Sequence, residues 1–366
     1  MSLLNIDQMV RSARECDASD IHLIAGLPPA LRVNGDILMG TGKALSRKDL
    51  QQMIGEVLNE EQQEQLERTR ELCFSIFDSQ SGRIRVTVYY HAGSPELSLR
   101  LCSLSIPDAE TLGLPSVVDE MARKPNGLVL VAGKTGSGKT TTLNYMVDLI
   151  NRERRAKIVM IEDPVEFVHH PRRSLIVQQE VYSDVLSFPR AVVHVLRQNP
   201  DVIVIGEMRE LEAIQTALTA AETGHLVLAT LHTPNTMQTV ERITSVFPAT
   251  QQKQVVLQLA NSLQGAIVQD LIPSADGTHR VMAYEILVAN EAVRANIRDE
   301  SLHLLYNTLQ TGKRDGMITM DDCLLNLYQK ARITYDAAIT RARNPDRFAT
   351  HRGAKSPRAF SRRETR

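Results

Sequence analysis

Residues 131–145 read VAGKTGSGKTTTLNY. Three glycines crowded into this stretch, Gly133, Gly136 and Gly138, make a conformationally costly loop, because glycine gives up the most backbone freedom on folding. The run from Gly133 through Lys134, Thr135, Gly136, Ser137, Gly138 and Lys139 to Thr140 fits the spacing G-x-x-x-x-G-K-[ST]. In that pattern backbone N–H groups wrap phosphates, the lysine neutralises them, and the final hydroxyl reaches Mg²⁺. The apolar run Leu128–Ala132 precedes the loop and a helical pattern, Thr141–Ile150, follows it. A strand that opens through glycines into a helix N-terminus is the setting in which phosphate is bound. The stretch therefore predicts a nucleotide site built from Gly133 to Thr140, with Thr141 beside it.

Moving outward, GLVLVAG, KIVMIED, SLIVQQE, VIVIGE and HLVLATLH are nearly continuous apolar runs. They predict strands buried on both faces of a largely parallel sheet, and hence an α/β core. Two of them end in acids, at Glu162-Asp163 and at Gly206-Glu207. A lone carboxylate after a strand usually caps a helix or faces water, but phosphoryl transfer needs strand-end carboxylates to hold metal and orient water. Two such ends behind one phosphate loop make Glu162 and Glu207 candidate catalytic residues. His225 and His232 flank the strand in TGHLVLATLHT, with Thr230 and Thr233 nearby. They are either hydrogen-bonded core histidines or sensors of the γ-phosphate. No NKxD-like guanine-reading motif appears, which favours adenine.

At 366 residues the chain exceeds one comfortable core, so at least two domains are expected. Residues 3–16 have helical spacing, and ASDIHLIAGLPPALRVNGDI reads as a hairpin. Ser46 opens one charged amphipathic helix through SRKDLQQMIGEVLNEEQQEQLERTR, and CFSIFD, RIRVTVYY and ELSLRLCSL follow as strands. This predicts an α+β domain over 1–104, a linker over 105–118 at Pro107, Gly113 and Pro115, the α/β core over 119–272 and a helical subdomain over 273–345. The net charge is −1, yet residues 341–366 carry nine Lys/Arg against Asp346 and Glu364. Residues 346–366 are read as a basic disordered tail. No window approaches the ~18 apolar residues of a membrane span. Cys16, Cys73, Cys102 and Cys323 form no CxxC pair, so neither a disulfide framework nor a local zinc site is indicated. With no export signal visible, a cytoplasmic protein that does not span the bilayer is expected.

The order GKTGSGKTTT, IEDPVEF, then GEMRELEAIQTALTAAETGHLVLATLHT resembles the secretion ATPase superfamily, with its Walker A, Asp box, Walker B and His box. Within it the chain is similar to the type IV pilus retraction ATPases, the PilT family, over about residues 1–340. The resemblance implies a RecA-like P-loop NTPase core, an N-terminal PAS-like α+β domain and a helical C-terminal subdomain. It implies a homohexamer with ATP and Mg²⁺ at each subunit boundary, working against an inner-membrane platform protein at the cytoplasmic face. By residue it implies that Lys139 and Thr140 bind phosphate and Mg²⁺, Glu162 is the general base and Glu207 supports the ion. His225 and His232 would frame the γ-phosphate, while Arg85 and Arg100 would act in trans, in the role of arginine fingers.

Three positions depart from the family pattern. Gly93 and Val193 stand where arginines are common, although Arg197 is kept, and AVRANIR has Asn296 at a leucine position while retaining Arg294 and Arg298. The family resemblance thus speaks more directly for ATP hydrolysis than for pilus retraction. An assembly-type ATPase normally carries a tetracysteine subdomain. An auxiliary or scaffold ATPase remains a rival, and a RecA-like nucleic-acid motor, using the basic tail, is a third class. No stable nucleic-acid binding is expected of the ordered body.

Overall fold

The computed structural model describes residues 6–33, 35–78, 82–102, 105–181 and 183–351. The chain divides into two compact units, one holding the chain up to Ile106 with Pro164–Val168, the other Pro107–Asp163 with His169 onward.

In the first unit the helix Ile6–Glu15 leads into β1 (Ala18–Leu23), β2 (Ala30–Val33) and β3 (Asp36–Met39), and β4 (Glu71–Asp78), β5 (Gly82–His91) and β6 (Ser94–Leu101) complete an antiparallel sheet. The strand order is β3-β2-β1-β6-β5-β4. Period-2 alternation puts Ile21, Leu23, Val86, Val88, Leu97 and Leu99 on one face, where they join a buried core with the helices. The expected single helix after Ser46 is two, Arg47–Val57 and Glu60–Thr69. Leu58 leaves helical geometry, and Asn59 starts anew. Its side chain accepts from the Gln62 N–H at 2.8 Å while the Gln62 side chain accepts from the Asn59 N–H at 3.1 Å. Asn34, within the stretch read as a hairpin, lies outside the described residues.

Gly93 has a conformational reason to be where it is. Strands β5 and β6 turn through Ala92 and Gly93, with φ of 49° and 76°. A two-residue hairpin with both central φ positive is a type I′ turn, which strongly favours glycine. An arginine there would sit in strained backbone.

The second unit opens with short helices, Ala109–Leu112 and Ser116–Ala122, and then builds β7 (Gly127–Ala132), β8 (Lys157–Glu162), β9 (Leu175–Glu180), β10 (Val202–Ile205), β11 (Leu226–Leu231), β12 (Leu263–Pro273) and β13 (Arg280–Val288). Their order is β13-β12-β7-β11-β10-β8-β9, parallel except for the antiparallel β12–β13 pair. The expected α/β core is borne out. Strands β7, β10 and β11 are buried throughout, β8 nearly so. By contrast β9 is an edge strand and leaves Leu175 68% exposed, although its sequence reads like its neighbours. Strand β12 continues directly from the helix Ala249–Ser262, with Gln264, Gln269 and Asp270 interrupting its apolar run. Residues 346–351 are ordered rather than tail: Pro345–His351 is a 3₁₀ turn around fully buried Phe348. Residues 352–366 lie outside the described residues.

Three buried polar side chains stitch the helix Lys139–Glu153 to the segment after Val168. Asn151 donates to the His170 carbonyl at 2.9 Å and accepts from the Arg172 N–H at 2.9 Å. Asn144 and His169 meet at 2.6 Å, both in the core. Burial pushes the His169 imidazolium down, from 6.5 to about 4, because the charged form is desolvated. Below pH 6.5 the unfolded chain takes this proton first, so stability present above that pH is lost as pH falls toward 4. At about 1.4 kcal/mol per pH unit this amounts to roughly 3 kcal/mol. Denaturant unfolding of wild type and His169→Phe across pH 4 to 6.5 is expected to show a shallower pH slope in the variant; equal slopes would refute it.

Candidate functional site

The phosphate loop is shaped by what crowds it. Gly133 has φ 142°, and a Cβ there would meet the Gln269 carbonyl of β12 at 2.3 Å. No larger residue fits at that point. Gly138, φ 86°, turns the chain into the helix Lys139–Glu153. The Gln269 side chain, buried, donates to the Ser137 carbonyl at 2.8 Å and braces the loop from β12. Lys134, Thr135 and Gly136 are exposed, Thr140 and Thr141 half-buried, and Ser137 and Lys139 buried. The Ser137 hydroxyl oxygen is buried without a hydrogen-bond partner, which suits a site that takes a polar ligand.

Lys139 Nζ donates to the carbonyls of Gly133 at 2.9 Å and Lys134 at 3.0 Å, and lies 3.5 Å from His232 Nδ1. An ammonium only donates, so Nδ1 is the imidazole's acceptor and Nε2 carries the proton. That Nε2 is 2.9 Å from Glu207 Oε1, which Arg209 also contacts. Burial, then the Lys139 charge, hold the His232 pKa below its ordinary value, so the ring is neutral at pH 7. The loop carrying His232 is pinned by Glu285, whose buried carboxylate accepts from both the N–H and hydroxyl of Thr236 at 2.8 Å.

Sheet order now fixes the array. Proceeding β7, β11, β10, β8 along the C-terminal edge meets the phosphate loop, His232, Glu207 and Glu162 in turn. Gly206 lets β10 end close to β8, since a Cβ there would lie 3.0 Å from the Ile161 carbonyl. Glu162 is 3% exposed and accepts from Gln178 Nε2 at 2.8 Å. Among the described residues no cluster of three or more His, Cys, Asp or Glu forms a ready-made metal cage. A phosphate-bound Mg²⁺ needs none, because it is held by one or two protein oxygens, phosphates and water. The Thr140 hydroxyl and Glu207 carboxylate fit that donor set.

One predicted member does not join. His225 precedes β11, and its Nδ1 lies 3.0 Å from the Ala220 carbonyl and 3.3 Å from the Thr223 hydroxyl. Its own carbonyl accepts from the Gly127 N–H at the start of β7. Because β7 and β11 run parallel, His225 sits a full six-residue strand away from the loop of its own chain, about 20 Å. Within this chain it is a structural histidine, not a partner of the γ-phosphate.

Arg85 and Arg100 form a separate group in the first unit, facing each other in register on β5 and β6. Arg100 Nε reaches Asp20 Oδ1 at 2.9 Å, Arg85 Nε donates to Cys73 Sγ at 3.1 Å, and Arg32 lies 3.9 Å from Asp20. In AVRANIR, Arg294 Nη1 donates to the carbonyls of Ala260 and Asn261 at 2.6 and 2.7 Å, capping the helix Ala249–Ser262. Asn296 Nδ2 bonds the Thr308 hydroxyl at 2.8 Å, and Arg298 is 3.9 Å from Glu291. Val193 is an exposed helix residue with no apparent structural duty. Gln178, Gln269 and Glu285 carry parts of the site that motif reading passed over; their only sequence signal is a polar residue inside a strand-like run.

A buried strand, a glycine loop closing on a helix, and acids at adjacent strand ends define a P-loop NTPase. The family model for type II/IV secretion system proteins matches residues 77–344. The type IV pilus retraction ATPase PilT of Pseudomonas aeruginosa is 39% identical over 345 residues, 94% of this chain and all of that one. The type IV pilus ATPase PilU of the same organism is 36% identical over 339 residues, 93% and 89% of the two chains. The crystal structure of the pilus retraction motor PilT with bound ADP superposes with a TM-score of 0.88 at 40% identity, covering 95% of this chain and 99% of that one. The chain belongs to the type II/IV secretion ATPases, in the PilT family.

Two outcomes follow. A phosphate-binding role for Lys139 predicts that Lys139→Ala lowers ADP and ATP affinity, measured by calorimetry, roughly 10- to 100-fold; unchanged affinity would contradict the site. Arg294→Ala loses two helix-end hydrogen bonds and should lower unfolding stability by about 1–2 kcal/mol, with nucleotide affinity intact.

Proposed function

We propose that this protein hydrolyses ATP to drive retraction of a type IV pilus. The observation that carries the reading is the ordered edge of phosphate loop, His232, Glu207 and Glu162, in a chain that matches a pilus retraction motor over 95% of its length. Lys139 moves from its backbone carbonyls to the β- and γ-phosphates. When bound, Mg²⁺ would supply positive charge against that developing on the phosphates. Thr140 and Glu207 would hold the ion, and Glu162 takes the proton of the attacking water. Neutral His232 donates from Nε2 to Glu207 and registers the γ-phosphate through Lys139.

The assembly we infer is a homohexamer with each site at a subunit boundary, where Arg85 and Arg100 of a neighbouring copy supply positive charge in trans. It would work at the cytoplasmic face of the inner membrane, against a platform protein. No helix among the described residues is long and apolar enough to cross a membrane, which suits a peripheral motor. A second reading, an auxiliary pilus ATPase, draws support from Val193, 46% exposed at a position where retraction ATPases commonly carry arginine.

Chromosomal Lys139→Ala in the native host tests the task. Excess surface pili without twitching is the expected phenotype; bald cells would assign extension, and full twitching would overturn both. In the purified protein, Glu162→Gln should lower ATP turnover by about 10²- to 10⁴-fold while nucleotide binding survives.

A further inference from the structure

The phosphate loop and the proposed general base are joined by an unbroken line of hydrogen bonds within the second unit. Asn144 Nδ2 donates to the Thr140 carbonyl at 2.8 Å. Asn144 Oδ1 and His169 Nε2 are 2.6 Å apart. The His169 backbone N–H donates to Gln178 Oε1 at 2.9 Å, and Gln178 Nε2 donates to Glu162 Oε1 at 2.8 Å. Two backbone groups fix every direction in it. A carbonyl can only accept, so the Asn144 amide turns its nitrogen to Thr140 and its oxygen to His169, which must then donate from Nε2. A backbone N–H can only donate, so Gln178 turns its oxygen to His169 and its nitrogen to Glu162.

The protonation state of His169 follows from the same geometry. Its Nδ1 is buried with no hydrogen-bond partner. As a bare lone pair this atom is tolerated; as an N–H it would be an unpaired buried donor beside a desolvated charge. The ring therefore stays neutral, with the lone pair on Nδ1 and the proton on Nε2. Asn144 and His169 are 0% and 7% exposed, so water does not compete for these groups.

We propose that Gln178 is a positioning residue for the Glu162 carboxylate, and that His169 and Asn144 hold it in register with the first turn of the phosphate-loop helix. The inference rests on the reading of Glu162 as general base. Gln178 aims the carboxylate by holding one of its oxygens in place. The far end of the line is the carbonyl of Thr140, whose hydroxyl is the proposed Mg²⁺ ligand, so loop and base are set by one framework. A shift of about 1 Å in a reacting group is enough to cost 10²-fold in rate.

Phosphate release by the assembled full chain, at varied ATP, tests this with Gln178→Met, Gln178→Glu, His169→Phe and the double variant Gln178→Met/His169→Phe. Glu162→Gln is the control. Gln178→Met keeps the side chain's length and loses the amide; kcat should fall about 10- to 100-fold, with KM for ATP and ADP affinity within about twofold. Gln178→Glu still accepts from the His169 N–H but cannot donate to Glu162, and should be no better. The double variant should be no slower than Gln178→Met alone, because one line broken twice is still one break. Unchanged kcat in Gln178→Met beside an inactive Glu162→Gln overturns the positioning role and leaves the base standing. Effects that multiply in the double variant overturn the link through His169. A Glu162→Gln protein as active as wild type removes the base and this inference together. Should His169→Phe fail to fold, the two Gln178 variants still decide through kcat against KM.

Discussion

A buried ammonium governs this molecule. Lys139 is 8% exposed, and its charge is held by two carbonyls of the phosphate loop. Taking an ammonium out of water is costly unless oxygens surround it, and neutral carbonyls compensate less fully than phosphate does. The loop can offer them only because Gly133 presses against the Gln269 carbonyl and Gly138 turns into the helix with positive φ. Burial and then the same charge depress His232, and the ammonium fixes its tautomer, which aims Nε2 at Glu207. One electrostatic demand thus sets the loop, the histidine and the first acid.

The parallel sheet turns that local arrangement into a site. All five parallel strands from β7 to β9 end on one edge, so residues distant in sequence arrive side by side in strand order. The edge also exposes a weakness: Glu162 stands on β8, three strand positions from β7, and needs something beyond the sheet to orient it. Asn144, His169 and Gln178 provide that by spanning the gap, the first two buried and Gln178 half-buried.

Much of this was legible in the residues. The phosphate loop, the strands around it and the two acids are short-range patterns, and each fell where apolar periodicity and glycine spacing placed them. What escaped depended on long-range placement. His225 and His232 look equivalent in TGHLVLATLHT, yet parallel pairing sends them to opposite edges. Leu175 reads as core but is exposed on β9, the edge strand of the sheet among the described residues. Strand β12 was hidden by Gln269 and Asp270, and the helix break at Asn59 by helix-compatible residues on both sides. Gly93, a departure from the family's arginine pattern, is a turn residue whose backbone requires it. Arg294, which AVRANIR retains, is committed to a helix end.

The most direct measurement is a structure of the full chain with Mg²⁺ and a non-hydrolysable ATP analogue. The account predicts the triphosphate along Gly133–Thr140, Lys139 Nζ transferred from the carbonyls to β- and γ-phosphate oxygens, and the ion between Thr140 and Glu207. Gln178 would still donate to Glu162, with a water between that carboxylate and the γ-phosphate. A nucleotide bound elsewhere, or a Lys139 that keeps its carbonyls while phosphate occupies the loop, would contradict it.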